Sequence, residues 1–82
     1  MVAVVYDPPF KRKFKKIKDK SLKTKIYKQI AKIIKNPETG KPMMHTRKGT
    51  REVYISPFRL SYSYLEKQNT IVFLELYHKD EQ

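Results

Sequence analysis

Residues 51–62, Arg-Glu-Val-Tyr-Ile-Ser-Pro-Phe-Arg-Leu-Ser-Tyr, present arginines and tyrosines where two β-strands would normally offer a plain core. Arg51, Tyr54, Arg59 and Tyr62 are the side chains there with chemistry to offer. A guanidinium is a planar fork of donors that suits two phosphate oxygens at once. Its structural use is an ion pair, and for Arg59 the carboxylates of Glu52 and Glu75 on neighbouring strands are the partners to expect. Val53 and Ile55 alternate with polar neighbours, Ser56-Pro57 breaks the run, and Phe58, Leu60, Tyr62 and Tyr64 resume a period of two. This is the pattern of two antiparallel strands joined by a tight connection. Successive side chains leave a strand on opposite faces, so Arg59, Ser61 and Ser63 point away from the apolar set.

The elements that must position these groups follow from the rest of the chain. Val2, Val4 and Tyr6 alternate with Ala3 and Val5 as a short strand, which Asp7-Pro8-Pro9 stops. Asp is a favoured N-cap and proline fits the first helical position, so a helix begins there, with Phe10, Phe14 and Ile17 on one stripe. Asp19-Lys20-Ser21 caps a second helix with Leu22, Ile26, Ile30, Ile33 and Ile34 as its stripe, ending before Asn36-Pro37. Residues 36–50 hold both glycines and two of the five prolines and read as one long irregular connection. Residues 66–69 form a turn, and Thr70–Leu76 a last strand whose apolar continuity places it inside the sheet. The expected fold is α+β in a single domain over residues 1–82. An N-terminal strand and a helical hairpin precede a three-stranded antiparallel meander, giving a four-stranded sheet with both helices on one face.

Eighty-two residues bound the core, since a chain of this size buries only about 60% of its unfolded surface. There is no cysteine, and His45 and His78 alone cannot write a zinc motif, so no metal and no cofactor is expected. No apolar run approaches the roughly 20 residues of a membrane span, so the protein is expected to be soluble and cytoplasmic. The net charge is +11, of which residues 1–40 carry +9. Such a field favours a polyanion or an acidic protein, and its plainer reading is a solvated lysine face. No acidic residue lies between Asp19 and Glu38, so the lysines of the second helix have no i, i+4 partner.

In order and spacing these pieces resemble the RelE/ParE superfamily of toxins from toxin–antitoxin pairs. The likeness runs along nearly the whole chain: a short first strand, a basic helical hairpin, NPETGKP after it, KGTREVYI, PFRLSY, and a final strand ending in YHKDEQ. Phe58-Arg59-Leu60-Ser61-Tyr62 matches the family's aromatic-Arg-apolar-x-Tyr strand. Gly49 matches a glycine about ten residues before the arginine, and His78-Lys79 the basic end of the last strand.

The resemblance implies a toxin whose RelE branch cleaves mRNA in the ribosomal A site without metal, by attack of a ribose 2′-OH on the neighbouring phosphate. Its ParE branch poisons DNA gyrase instead. On the RelE reading Arg59 serves the scissile phosphate, and His78, Lys79, Glu52 and His45 are the candidates for acid, base or added charge. Arg51, Arg47, Lys48, Tyr54 and Tyr62 would hold substrate, with Tyr54 a base-stacking platform. Lys11, Arg12, Lys15, Lys16, Lys18, Lys23, Lys25 and Lys28 would meet rRNA phosphates. Each has a structural alternative: an exposed tail for His78, a loop histidine for His45, a half-buried strand tyrosine for Tyr54, and a solvated basic loop for Arg47, Lys48 and Arg51. The chain departs from the RelE pattern in carrying Glu52 and Tyr54 where alternating lysines are usual, and in stopping at Gln82 where many relatives continue. The partners implied are ribosome, mRNA and an acidic antitoxin protein. A gyrase inhibitor and a non-catalytic basic RNA-binding module are the competing readings.

Overall fold

The computed structural model describes residues 1–43 and 49–81. Strand β1 (Ala3–Tyr6) leads into helices α1 (Pro8–Lys16) and α2 (Lys20–Lys35). Then follow β2 (Lys41–Pro42), β3 (Thr50–Ile55), β4 (Phe58–Leu65), a short 3-10 turn (Glu66–Gln68), β5 (Thr70–His78) and a final 3-10 turn (Lys79–Glu81). The helix starts illustrate two solutions to the same problem, the unsatisfied N–H groups of a first turn. At α2 the Asp19 carboxylate accepts from the Ser21 and Leu22 N–H groups at 2.9 and 3.3 Å. At α1 the side chain of Asp7 makes no such bond. Pro8 and Pro9 have already removed two of the donors that a cap would satisfy.

The sheet has five strands in the order β1-β5-β4-β3-β2, not the expected four. β2 is the addition, pairing Lys41 with Glu52 and Pro42 with Arg51. Two residues, one of them proline, carry no periodicity by which a strand is read. The sheet is also mixed, because β1 runs parallel to β5 while every other pair is antiparallel. β5 lies between β1 and β4, in the interior place its apolar run predicted. Both helices cover one face, where Phe10, Ile17, Ile26, Ile30 and Ile33 pack on Ile55, Leu60, Tyr62, Ile71, Phe73 and Leu76.

β5 reaches that core only through a bulge. Ser61 pairs with Glu75 and Tyr62 with Phe73, which leaves Leu74 as an extra residue. The extra residue resets the alternation. Phe73 and Leu76, three apart, are therefore both fully buried under the helices, while Glu75 stays on the other side.

Tyr62 ties this core to the loop after α2. It is fully buried, its hydroxyl donates to the Pro37 carbonyl at 2.7 Å, and it accepts from the Gly40 N–H at 2.8 Å. Its ring lies so close that a Cβ on Gly40 would sit 2.7 Å from Cε1 and from the hydroxyl. Arg51, its cross-strand partner, donates from Nη1 to the carbonyls of Glu38 and Gly40 at 3.2 and 2.8 Å. Together they clamp the loop from two strands. Burial raises the Tyr62 phenol above its ordinary value of 10.0, against the lowering effects of the Gly40 hydrogen bond and of Arg51.

Removing the Tyr62 hydroxyl strands a buried N–H, so Tyr62→Phe is expected to cost about 1–3 kcal/mol. For a domain of this size that lowers Tm by roughly 4–8 °C per kcal/mol in thermal denaturation. Gly40→Ala is expected to cost at least as much, through the clash. A phenol raised on folding stabilises below its unfolded pKa and loses that contribution as pH rises through the folded one. The stability gap between wild type and Tyr62→Phe should therefore be constant at neutral pH and shrink in denaturant titrations above pH ~10.

Candidate functional site

The face of the sheet turned away from the helices carries two ranks of side chains, each built across β3, β4 and β5. One rank is Tyr54, Arg59 and Tyr77; the next is Glu52, Ser61 and Glu75. The ranks interlock diagonally, as neighbours in a sheet can. Arg59 Nη1 donates to Glu52 Oε1 at 2.9 Å, and the Tyr77 hydroxyl donates to the other oxygen, Oε2. Glu52 is 8% exposed, so its carboxylate is buried with each oxygen engaged. The Arg59 guanidinium lies over the Tyr54 ring, 5.7 Å from its centroid. Its side chain remains 36% exposed, and Nε is buried with no hydrogen-bond partner among the described residues. The hydrogen bond to Glu52 outweighs desolvation and raises the Arg59 pKa, so this cation is permanent.

The ion pair with Glu52 is the structural use that the sequence offered for Arg59, and it is made. It also revises the role of Glu52. A carboxylate that already accepts from a guanidinium and a phenol, and is nearly closed to solvent, does not fit the part of a general base. Tyr62 is corrected too: it is a fully buried core residue with no surface for substrate, while half-buried Arg51 gives Nη1 to loop carbonyls. Tyr54 is 52% exposed on the Arg59 face, where a stacking platform would have to be.

His78 pairs with Phe58 in register, so alternation sets it on the face opposite Arg59 and Tyr77. It packs edge-on against the Phe58 ring at 5.5 Å, and its Nδ1 accepts from the Asp80 N–H at 3.2 Å. Lys79 is exposed in the last turn, and its N–H donates to the Pro57 carbonyl, which anchors that turn at the Arg59 end of β4. His45, Arg47 and Lys48 lie outside the described residues.

A second surface lies on the hairpin. Lys11, Arg12, Lys15, Lys16, Lys18, Lys25 and Lys28 are exposed, and Lys23 is half-buried with Nζ 5.5 Å from the Phe14 ring centroid. Between the helices opens a groove of about 560 Å³, floored by Tyr6, Phe10, Phe14, Tyr27 and Ile30 and rimmed by Lys11, Lys15 and Lys23. Its aromatic rings form a chain: Tyr6 stacks on Phe10 at 5.5 Å, Phe10 on Phe14 at 5.7 Å, and Tyr27 meets Phe14 edge-on at 5.4 Å. The apolar stripes read from the sequence did not show the groove. Tyr77 was missed as well, although the alternation that sets Leu76 inward sets Tyr77 with Arg59.

The family model for the ParE toxin of the type II toxin–antitoxin system parDE matches residues 4–82. No curated protein sequence matches the chain significantly. Among solved structures, the chain is similar to one in the intact E. coli RelBE toxin–antitoxin complex, with TM-score 0.81 and 10% identity over 95% of this chain and 96% of that one. A chain of the RelBE2 complex from Mycobacterium tuberculosis gives TM-score 0.80 and 22% identity over 95% and 98%. The YoeB/ParE toxin from Agrobacterium tumefaciens gives TM-score 0.84 and 14% identity over 94% and 98%. At these identities the structural likeness is one of fold, and the family rests on the sequence model: the chain belongs to the ParE toxin family of type II toxin–antitoxin systems, within the RelE/ParE superfamily.

Proposed function

We propose that this toxin is a ribosome-dependent endoribonuclease that cleaves mRNA by 2′-OH attack, with Arg59 as the principal cation at the scissile phosphate. The observation that carries the reading is Arg59 itself: a permanently charged guanidinium, part exposed on the open face, lying over an exposed tyrosine ring. In the reaction a base takes the 2′-hydroxyl proton, O2′ bonds to phosphorus, and the P–O5′ bond breaks with a proton delivered to O5′. The products are a 2′,3′-cyclic phosphate and a 5′-hydroxyl. Charge accumulates on the phosphoryl oxygens on the way, and fixed cations that meet it there are the largest contribution a protein can make. Arg59 supplies one, and Lys79 at the same end of β4 a second. Tyr54 offers its ring to a flanking base; His78 lies on the opposite face of the sheet, which leaves His45 as the histidine candidate for proton transfer.

The two cationic regions lie on opposite sides of the sheet, so one RNA strand cannot lie flat on both. That supports a division in which the hairpin holds rRNA phosphates and the open face the message. The groove and its lysine rim suit an acidic, amphipathic antitoxin segment, and the similar E. coli chain comes from a toxin–antitoxin complex, RelBE.

A second reading is favoured by a specific observation. Glu52 engages Arg59 and Glu75 stands in the same rank, so the open face carries more carboxylate than guanidinium, which suits a non-enzymatic inhibitor of DNA gyrase. A supercoiling assay separates the two.

With purified 70S ribosomes and message, Arg59→Ala is expected to lower codon-positioned cleavage at least 100-fold, on the scale of losing one oxyanion donor. Uncut message with wild-type protein, together with inhibited supercoiling, would replace the first reading by the second. Ribosome affinity should fall steeply with salt, by close to one logarithm in Kd per logarithm of salt for each phosphate neutralised. Lys15→Ala and Lys25→Ala together should flatten that slope in sedimentation assays, whereas a merely solvated lysine face predicts no change.

A further inference from the structure

We infer that Glu52 and Tyr77 are positioning residues for Arg59, a buried relay on three strands that fixes which edge of the guanidinium faces an incoming phosphate. This rests on the proposed nuclease reading for its consequence but not for its geometry. Arg59 Nη1 is held by Glu52 Oε1, and Glu52 is held in turn by the Tyr77 hydroxyl on Oε2. The three residues stand on β4, β3 and β5, with β4 hydrogen-bonded between the other two, so the sheet fixes the spacing of their backbones. Tyr54 closes the lower side of the guanidinium plane. Nε is buried and has no partner among the described residues, so an incoming oxyanion meets the guanidinium at Nη2, and the tether at Nη1 fixes where Nη2 points.

The relay explains why a carboxylate can sit beside a phosphate-binding arginine without competing for it. Glu52 is consumed from both sides, so it acts on the phosphate only through Arg59. A long flexible side chain loses much rotamer freedom on binding, and fixing it beforehand removes that cost from the transition state. Neither residue touches substrate.

The test has a spectroscopic arm and a kinetic arm. In ¹⁵N-labelled protein the Nη1 and Nη2 signals of Arg59 should be resolved, because the tether slows rotation about Cζ–Nε; Tyr77→Phe should average them while the backbone spectrum stays that of the wild type. On ribosomes, Tyr77→Phe and Glu52→Gln should lower kcat about tenfold with KM within twofold, and Glu52→Asp should not rescue Glu52→Gln, since the shorter side chain cannot span the strands. Averaged Nη signals in the wild type, or signals that Tyr77→Phe leaves resolved, overturn the inference. So does a rise in cleavage with Glu52→Gln, which would make Glu52 a competitor of the phosphate. If wild-type protein leaves the message uncut, the nuclease reading fails by itself, and the ¹⁵N signals still decide whether the relay exists.

Discussion

The register of β4 against β5, with its one-residue slip at Leu74, is the constraint on which the rest of the molecule depends. A strand that alternated without interruption from Ile71 to Tyr77 would send either Phe73 or Leu76 to the open face. The slip lets Ile71, Phe73 and Leu76 all join the isoleucines of α2, while Glu75 and Tyr77 stay on the side of Arg59. One irregularity thus serves both faces. Without it the core would lose a large apolar side chain, at a cost of several kcal/mol for a residue of that size. Arg59 would also stand in a rank without the phenol that steadies its carboxylate.

Much of this was legible in the residues, for reasons that are local. The Asp19 cap and the Asn36-Pro37 stop bound α2 because capping and proline act over three or four residues. The period of two in Phe58–Tyr64 sets Arg59 on its face for the same reason, and Glu52 was among the two carboxylates that alternation leaves in reach. What was not legible depends on long-range placement. A bulge is a property of two strands, and a continuous apolar run hides it. Tyr62 carries the same phenol as Tyr54, yet one is sealed under the helices and the other is exposed; alternation sets Tyr62 with the apolar side chains, but the partner of its hydroxyl, Gly40, lies 22 residues away and is not written in the period. Tyr77 belongs to the site through the side chain it meets and through nothing in its own neighbourhood.

The electrostatics of the chain divide in the same way. Composition reports a single strongly basic protein, but the fold sorts the charge into a hairpin rich in exposed lysines and a sheet face where, among the described residues, Arg59 stands beside Glu52 and Glu75. Long-range attraction to a polyanion belongs to the first, since a field summed over many exposed cations steers association. The second can only act at contact distance. On the proposed function, encounter and recognition would fall to different surfaces.

The parallel pairing of β1 with β5 adds a consequence in time. Residues 3–6 find their hydrogen-bonding partner only in residues 70–73, so the first strand made waits for the last. Contacts so far apart in sequence slow folding and keep a nascent chain open. Both ranks of the open face need β5 as well. A ribosome synthesising this toxin therefore carries, until the final strand emerges, a chain whose candidate site has not been assembled.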